Sequence, residues 1–145
     1  LSPEIYRKLA EEVDQICREQ DQMLILNTAP AAAAQLGMRK LHLPMSILRR
    51  EGRPLDAECV GTSIHSLEEV KEAVRLGADY LFAGNIYETD CKKGLPGRGL
   101  DFLSQVCMES SVPVYAIGGV NEERLPEILS TGAAGGCMMS GFMKL

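Results

Sequence analysis

No apolar run in the sequence approaches the roughly 18 residues that a membrane-spanning helix needs, so no helical span is expected. The charged, amphipathic N-terminal stretch does not read as a secretory signal either, and the expected location is cytoplasmic. Basic blocks are missing as well: Lys and Arg gather only in pairs such as Arg49-Arg50 and Lys92-Lys93, against a formal net charge of -5. That balance argues against nucleic acid and membrane as partners and points to a small molecule. The five cysteines, Cys17, Cys59, Cys91, Cys107 and Cys137, are odd in number and never form a C-x-x-C pair. Neither a zinc knuckle nor a disulfide framework is expected, no metal site is read, and the thiols are taken as reduced. Histidine is scarce too, with only His42 and His65 in the chain.

What is present reads as one domain over residues 1–145, with 46% hydrophobic residues to build a core and assembly into a homo-oligomer left open. Ser2 can cap a first helix and Pro3 suits its first turn, while Ile5, Leu9, Val13 and Ile16 recur at helical spacing and form one apolar face. Met23 to Leu26 is a short apolar run ending at Asn27, read as a buried parallel strand. Ala31 to Leu36 favours helix up to Gly37, and Lys40 to Leu43 reads as a strand broken by Pro44. Met45 to Asp56 is polar and interrupted by Gly52 and Pro54, and reads as a loop holding at most a short helix.

From there the alternation is regular. Cys59 to Ile64 reads as a strand, Ser66 to Leu76 as a helix with Leu67, Val70 and Val74 inward, and Tyr80 to Ala83 as a strand ending at Gly84-Asn85. A loop over Ile86 to Gly99 precedes a helix to Glu109. Val112 to Ile117 is a strand ending at Gly118-Gly119, Asn121 caps a helix to Ser130, and Gly136 to Met139 is a strand ending at Ser140-Gly141. Met138, Met139 and Met143 read as core or barrel lining. The helix, Gly-Ala, strand, Gly order recurs at Gly77-Ala78 and Gly132-Ala133, a weak internal repeat of βα units.

The stretch that carries chemistry is Val60 to Glu69. Ser66 and Glu69 have the S-x-x-E spacing of a capping box, which makes His65 the last residue before a helix. Ligands sit at the carboxyl ends of strands in parallel α/β folds, and the positive end of the helix disfavours a charged imidazole there. A neutral ring can accept a proton. The competing reading is that His65 only ends a strand and hydrogen-bonds to nearby backbone.

Six strands, each followed by a helix or the chain end, fit two architectures. One is a (β/α)8 barrel, which takes eight strands and roughly 200 residues or more, here truncated; the other is an open doubly wound sheet. The string Gly77-Ala78-Asp79-Tyr80, Gly84, Glu88-Thr89-Asp90-Cys91-Lys92-Lys93-Gly94, Pro113-Val114, Ala116-Ile117-Gly118-Gly119 and Met139-Ser140-Gly141 resembles the thiamine phosphate synthase and TenI superfamily of TIM barrels. The resemblance covers nearly the whole chain. It implies an α/β TIM-type barrel cut to about six strands, barrel strands three to eight.

Within that superfamily, the synthase branch holds a diphosphate and magnesium with two aspartates, after the strands matching Leu24 to Asn27 and Leu41 to Leu43. Here Thr28 and Pro44-Met45-Ser46-Ile47 stand in those places, and the T-x-T-K diphosphate pattern is reduced to Thr89-Asp90-Cys91-Lys92. The strings Glu88 to Gly94 and Ser63-Ile64-His65-Ser66-Leu67-Glu68-Glu69 instead resemble TenI, the thiazole tautomerase branch. That resemblance implies a proton shift in thiamine biosynthesis. A dihydrothiazole carboxylate phosphate loses the proton at its carboxylate-bearing ring carbon and gains one at the exocyclic carbon, with no cofactor and with His65 as the acid/base.

The partner implied is a small phosphorylated thiazole. Gly118, Gly119, Ser140 and Gly141, at the ends of the last two strands, are expected to hold its phosphate, since glycine lets backbone N–H groups approach an anion. Ser63 points the same way as His65 and is a substrate candidate, and Lys92 is a candidate lid over the anion. His42, followed by Leu43-Pro44 without a cap, reads as a residue without a catalytic part. Two other functions stand beside the tautomerase: a thiamine phosphate synthase, and a non-catalytic TenI-like regulatory or phosphate-ligand-binding protein.

Overall fold

The computed structural model describes residues 2–27, 30–89 and 94–144. Six strands form one all-parallel sheet in sequential order: β1 (Leu26–Asn27), β2 (Lys40–Pro44), β3 (Cys59–Ile64), β4 (Tyr80–Gly84), β5 (Val114–Ile117) and β6 (Gly135–Cys137). Sequential parallel order with a helix between neighbours is the winding of a (β/α) barrel, and the sheet forms six strands of one. Among the described residues its two edges, β1 and β6, are not paired with each other. The doubly wound alternative fails on this order, because it requires the chain to reverse direction across the sheet.

The connecting helices are α1 (Pro3–Glu19), α2 (Pro30–Gln35), α3 (Met45–Glu51), α4 (Leu67–Arg75), α5 (Gly99–Glu109) and α6 (Leu125–Ser130). Strand residues of one parity, among them Leu41, Leu43, Val60, Ile64, Leu81, Ala83, Val114 and Ala116, pack in one cluster with Val70, Ala73, Leu103, Val106 and Ile128 of the helices. Because side chains alternate across a strand, the other parity faces the barrel interior. There stand His42, Gly61, Ser63, Tyr80, Phe82, Tyr115 and Ile117, which include the aromatic strand residues, while Thr62 is buried on the helix side and donates to Leu43 O. Burying Val70, Leu103, Val106 and Ile128 on the helix side contributes about 1.5 to 3 kcal/mol each.

Three sequence expectations need correction. Ile5, Leu9 and Ile16 of α1 are 56%, 48% and 60% exposed, and Ala10 is the buried residue of that helix. The helix turns Tyr6, Ala10, Val13 and Cys17 inward instead, a stripe offset from the one that periodicity picks out. The short helix allowed within Met45 to Asp56 is present as Met45–Glu51, with Met45 and Leu48 buried. The last strand ends at Cys137, so Met138 to Gly141 have already left the sheet. Met139 and Met143 are consequently 67% and 82% exposed rather than part of a core. No helix among the described residues is long and apolar enough to cross a membrane.

Candidate active site

The carboxyl end of β3 carries the site histidine, and local capping sets its position. Ser66 Oγ accepts from Glu69 N at 3.4 Å, starting α4, while Glu69 Oε2 accepts from the His65 N–H at 2.6 Å. The carboxylate of Glu69 is held in turn by Arg49 Nη2 at 3.1 Å, an arginine that also binds Glu72. The capping box thus closes one residue early, on His65 itself, and pins the backbone that presents the ring.

The ring is fixed at its other end. His65 Nδ1 lies 2.7 Å from the Gly84 carbonyl oxygen at the end of β4. A carbonyl can only accept, so Nδ1 carries the hydrogen, and the neutral form of the ring has its lone pair on Nε2. His65 is exposed on its free side and lines a cavity of about 330 Å³ together with Ser63, Gly118, Gly119 and Ser140. An imidazole held as an acceptor at the wall of such a cavity can take a proton from a bound carbon acid and return it.

The opposite wall is the turn after β5. Gly118 and Gly119 have φ of 91° and 68°, in the left-handed region that favours glycine. Space demands glycine as well: a Cβ on Gly118 would lie 2.5 Å from the Asn85 Cβ, and one on Gly119 would lie 2.7 Å from the Glu88 carbonyl oxygen. The β4 loop is cemented onto this turn. Tyr87 N–H donates to Gly118 O at 3.0 Å, Arg124 Nη1 donates to Gly119 O, and the Arg124 guanidinium sits 4.2 Å from the Tyr87 ring centroid. Tyr87 O–H donates to Glu127 at 2.5 Å, and burial together with that bond pushes its phenol up to about 12.

Of the residues singled out from the sequence, Ser63, His65, Gly118, Gly119 and Ser140 meet in one cavity. Gly141 does not. It lines a separate hollow of about 340 Å³ with Asn121, Glu122 and Phe142, because the chain turns outward after β6. Lys92 lies outside the described residues. Asn85, Thr89 and Cys137 also line the His65 cavity and were not expected there. Asn85 had a readable signal in following Gly84 at a strand end. Burial pushes the Cys137 thiol up to about 11, so it stays protonated and is no nucleophile near neutral pH.

Larger cavities, of about 820 and 650 Å³, lie beside α1 and hold none of these groups. A magnesium-diphosphate clamp, which the resemblance implies for the synthase branch, needs carboxylate oxygens at the ends of β1 and β2. Asn27 and Pro44 close those strands and α3 follows with Met45 and Ser46. Among the described residues no three His, Cys, Asp or Glu side chains gather to hold a metal. The residues present do not fit that clamp.

Comparison with known proteins places this geometry. The thiamine monophosphate synthase family model matches residues 1–142. Thiamine-phosphate synthase of Pyrococcus horikoshii is 35% identical over 137 residues, and that of Pyrococcus abyssi is 33% identical over 137, each match covering 94% of this chain and 64% of the relative. The chain therefore spans less than two thirds of the length of these curated relatives. The solved thiamine phosphate pyrophosphorylase from Pyrococcus furiosus superposes with a TM-score of 0.84 at 28% identity, over 100% of this chain and 71% of that one. FabK from Thermotoga maritima shares the fold alone, at a TM-score of 0.79 and 18% identity. By the family match over nearly its whole length, and by sequential parallel strands that superpose on a solved relative, the chain belongs to the thiamine monophosphate synthase family.

Proposed function

We propose that this chain carries a thiazole tautomerase site of thiamine biosynthesis, an isomerase that aromatises a dihydrothiazole carboxylate phosphate. The observation that carries the reading is the meeting of His65, with Nε2 as acceptor, and Gly118, Gly119 and Ser140 in one cavity. The substrate phosphate binds at the Gly118-Gly119 turn and Ser140. Both glycine carbonyls are already engaged by Tyr87 and Arg124, so the anion takes N–H groups and the serine hydroxyl. His65 Nε2 takes the proton from the carboxylate-bearing ring carbon. The electron pair released moves through the ring to the exocyclic carbon, which regains the proton from the imidazolium. Nothing is oxidised and no atom is lost, so one base that returns its proton completes the reaction.

A second reading, thiamine phosphate synthesis by group transfer, is favoured by the names of the Pyrococcus relatives. It has against it Asn27 and Pro44 at the strand ends where the magnesium-binding carboxylates would be needed. One assay separates the two. The protein is given the dihydrothiazole carboxylate phosphate alone, and thiazole absorbance is followed; in parallel it is given the thiazole phosphate with the diphosphate co-substrate and magnesium, and thiamine phosphate is measured. Aromatisation without transfer supports the tautomerase, and transfer without aromatisation overturns it.

A further inference from the structure

Behind the His65 cavity lies a second hollow of about 420 Å³, inside the barrel, lined by His42, Ser63, Tyr80 and Phe82. Ser63 belongs to both. Its Oγ lies 2.9 Å from His42 Nε2, and His42 Nδ1 lies 3.0 Å from the Tyr80 hydroxyl. The three residues come from three successive strands, β3, β2 and β4, and are brought together by a gap in the middle one. A Cβ on Gly61 would lie 1.9 Å from Tyr80 Cζ, so the tyrosine ring occupies the space a side chain there would fill and crosses β3 to reach His42. Phe82 packs 4.3 Å from the His42 ring centroid and holds the imidazole from the side.

The direction of the hydrogens follows from what each group can do. Among the described residues the Tyr80 hydroxyl makes no other hydrogen bond, and a buried phenol O–H is satisfied by donating. His42 Nδ1 therefore accepts. The imidazole is neutral, since burial pushes it down to about 4, so its single hydrogen is on Nε2 and is donated to Ser63 Oγ. The serine oxygen is then occupied as an acceptor, and among the described residues its own O–H has no acceptor.

We propose that Tyr80, His42 and Ser63 form a one-way hydrogen-bond relay that aims the Ser63 O–H into the His65 cavity, so that the ligand atom seated there is an acceptor. His42 and Tyr80 are positioning residues in this scheme; Ser63 is the group that touches ligand. The inference builds on the reading of that cavity as a substrate site. On that reading, the acceptor next to the proton-transferring ring is a carboxylate oxygen or a ring nitrogen of the thiazole. Were the relay reversed, Ser63 would offer only lone pairs and would repel a carboxylate.

The relay is tested first without any substrate. In chain labelled with ¹⁵N-histidine, two-bond ¹H–¹⁵N correlation at pH 7 reads each ring's tautomer. The relay predicts hydrogen on Nε2 for His42, and Tyr80→Phe, which keeps the ring and its packing, should erode that preference. Hydrogen on Nδ1 of the wild-type His42, or a doubly protonated ring, overturns the relay. The second arm titrates the thiazole carboxylate phosphate by calorimetry. Ser63→Ala and His42→Phe should each weaken binding by roughly three- to tenfold, the worth of one hydrogen bond. The double variant should lose no more than the larger single effect, whereas multiplying losses contradict coupling through the pair. If His42→Phe fails to fold, Tyr80→Phe takes its place in the same cycle. A wild-type chain that shows the Nε2 tautomer but binds no thiazole compound sinks the proposed function and leaves the relay standing.

Discussion

His65 Nδ1 stands 2.7 Å from the Gly84 carbonyl oxygen, a contact between the ends of two neighbouring strands that decides which ring nitrogen can do chemistry. A strand-end histidine hydrogen-bonded to backbone is also what a purely structural role would look like. The proposed role is compatible with that one, because the bond to Gly84 engages Nδ1 and, among the described residues, leaves Nε2 without a protein partner. The partner strand is held in register by four residue pairs between β3 and β4, so the orientation belongs to the sheet rather than to a loop.

Removing the cap should loosen that arrangement. Ser66→Ala deletes the oxygen that accepts from Glu69 N, and loss of such a cap costs about 1 kcal/mol. For a domain of this size that lowers the melting temperature by about 3 °C, measured by calorimetry. An unchanged melting temperature would show that α4 starts on its packing alone.

Gly119 and Gly37 offer a paired test of the proposed phosphate turn. Both have positive φ, but a Cβ on Gly37 meets nothing within 4 Å, while one on Gly119 meets Glu88 and Tyr87 at 2.7 Å. Gly37→Ala should cost about 1 to 2 kcal/mol of stability, the left-handed penalty alone, and leave ligand binding unchanged. Gly119→Ala should weaken binding of the phosphorylated thiazole by roughly tenfold or more, since the β4 loop must shift and about 1.4 kcal/mol of lost contact is a factor of ten. Equal effects of the two on binding would remove the turn from the site.

The buried His42 should make stability depend on pH in a defined direction. Burial lowers its folded pKa from 6.5 to about 4, so below pH 6.5 the unfolded chain binds a proton that the folded chain refuses. Stability contributed by the neutral ring is present above pH 6.5 and is lost as pH falls toward 4; between pH 7.5 and 5 the loss is about 2 kcal/mol. Urea denaturation at the two pH values should show that difference in wild-type protein, and His42→Gln should shrink it. A wild-type slope no steeper than the variant's would contradict the burial of a neutral ring.

Much of the fold could be read from residue order, and the reasons are local. Glycine after α2, α3, α4 and α6 and at the ends of β4 and β5, the Ser66–Glu69 cap and Asn121, whose Oδ1 accepts from Arg124 N at 3.0 Å, mark element ends through chemistry that acts within four residues. Ser63, His65 and the glycine pair were legible for the same reason, being strand-end residues at the expected face. What escaped depends on distant partners. The outward turn after β6 exposes Met139 and separates Gly141 from Ser140. The part played by His42 rests on Tyr80, 38 residues away in sequence, passing over Gly61. The stripe on α1 has the right period for burial, but periodicity cannot tell whether a neighbour stands opposite.

The central claim is that His65 moves the proton while the Gly118-Gly119 turn and Ser140 hold the anion. The most direct measurement compares wild type with His65→Asn on the dihydrothiazole carboxylate phosphate, following thiazole absorbance for turnover and calorimetry for binding, in this chain and at the matching position of a full-length relative. The account predicts a loss of turnover of about a hundred- to ten-thousand-fold with affinity within roughly threefold of wild type. A His65→Asn protein that aromatises the substrate at the wild-type rate would contradict it.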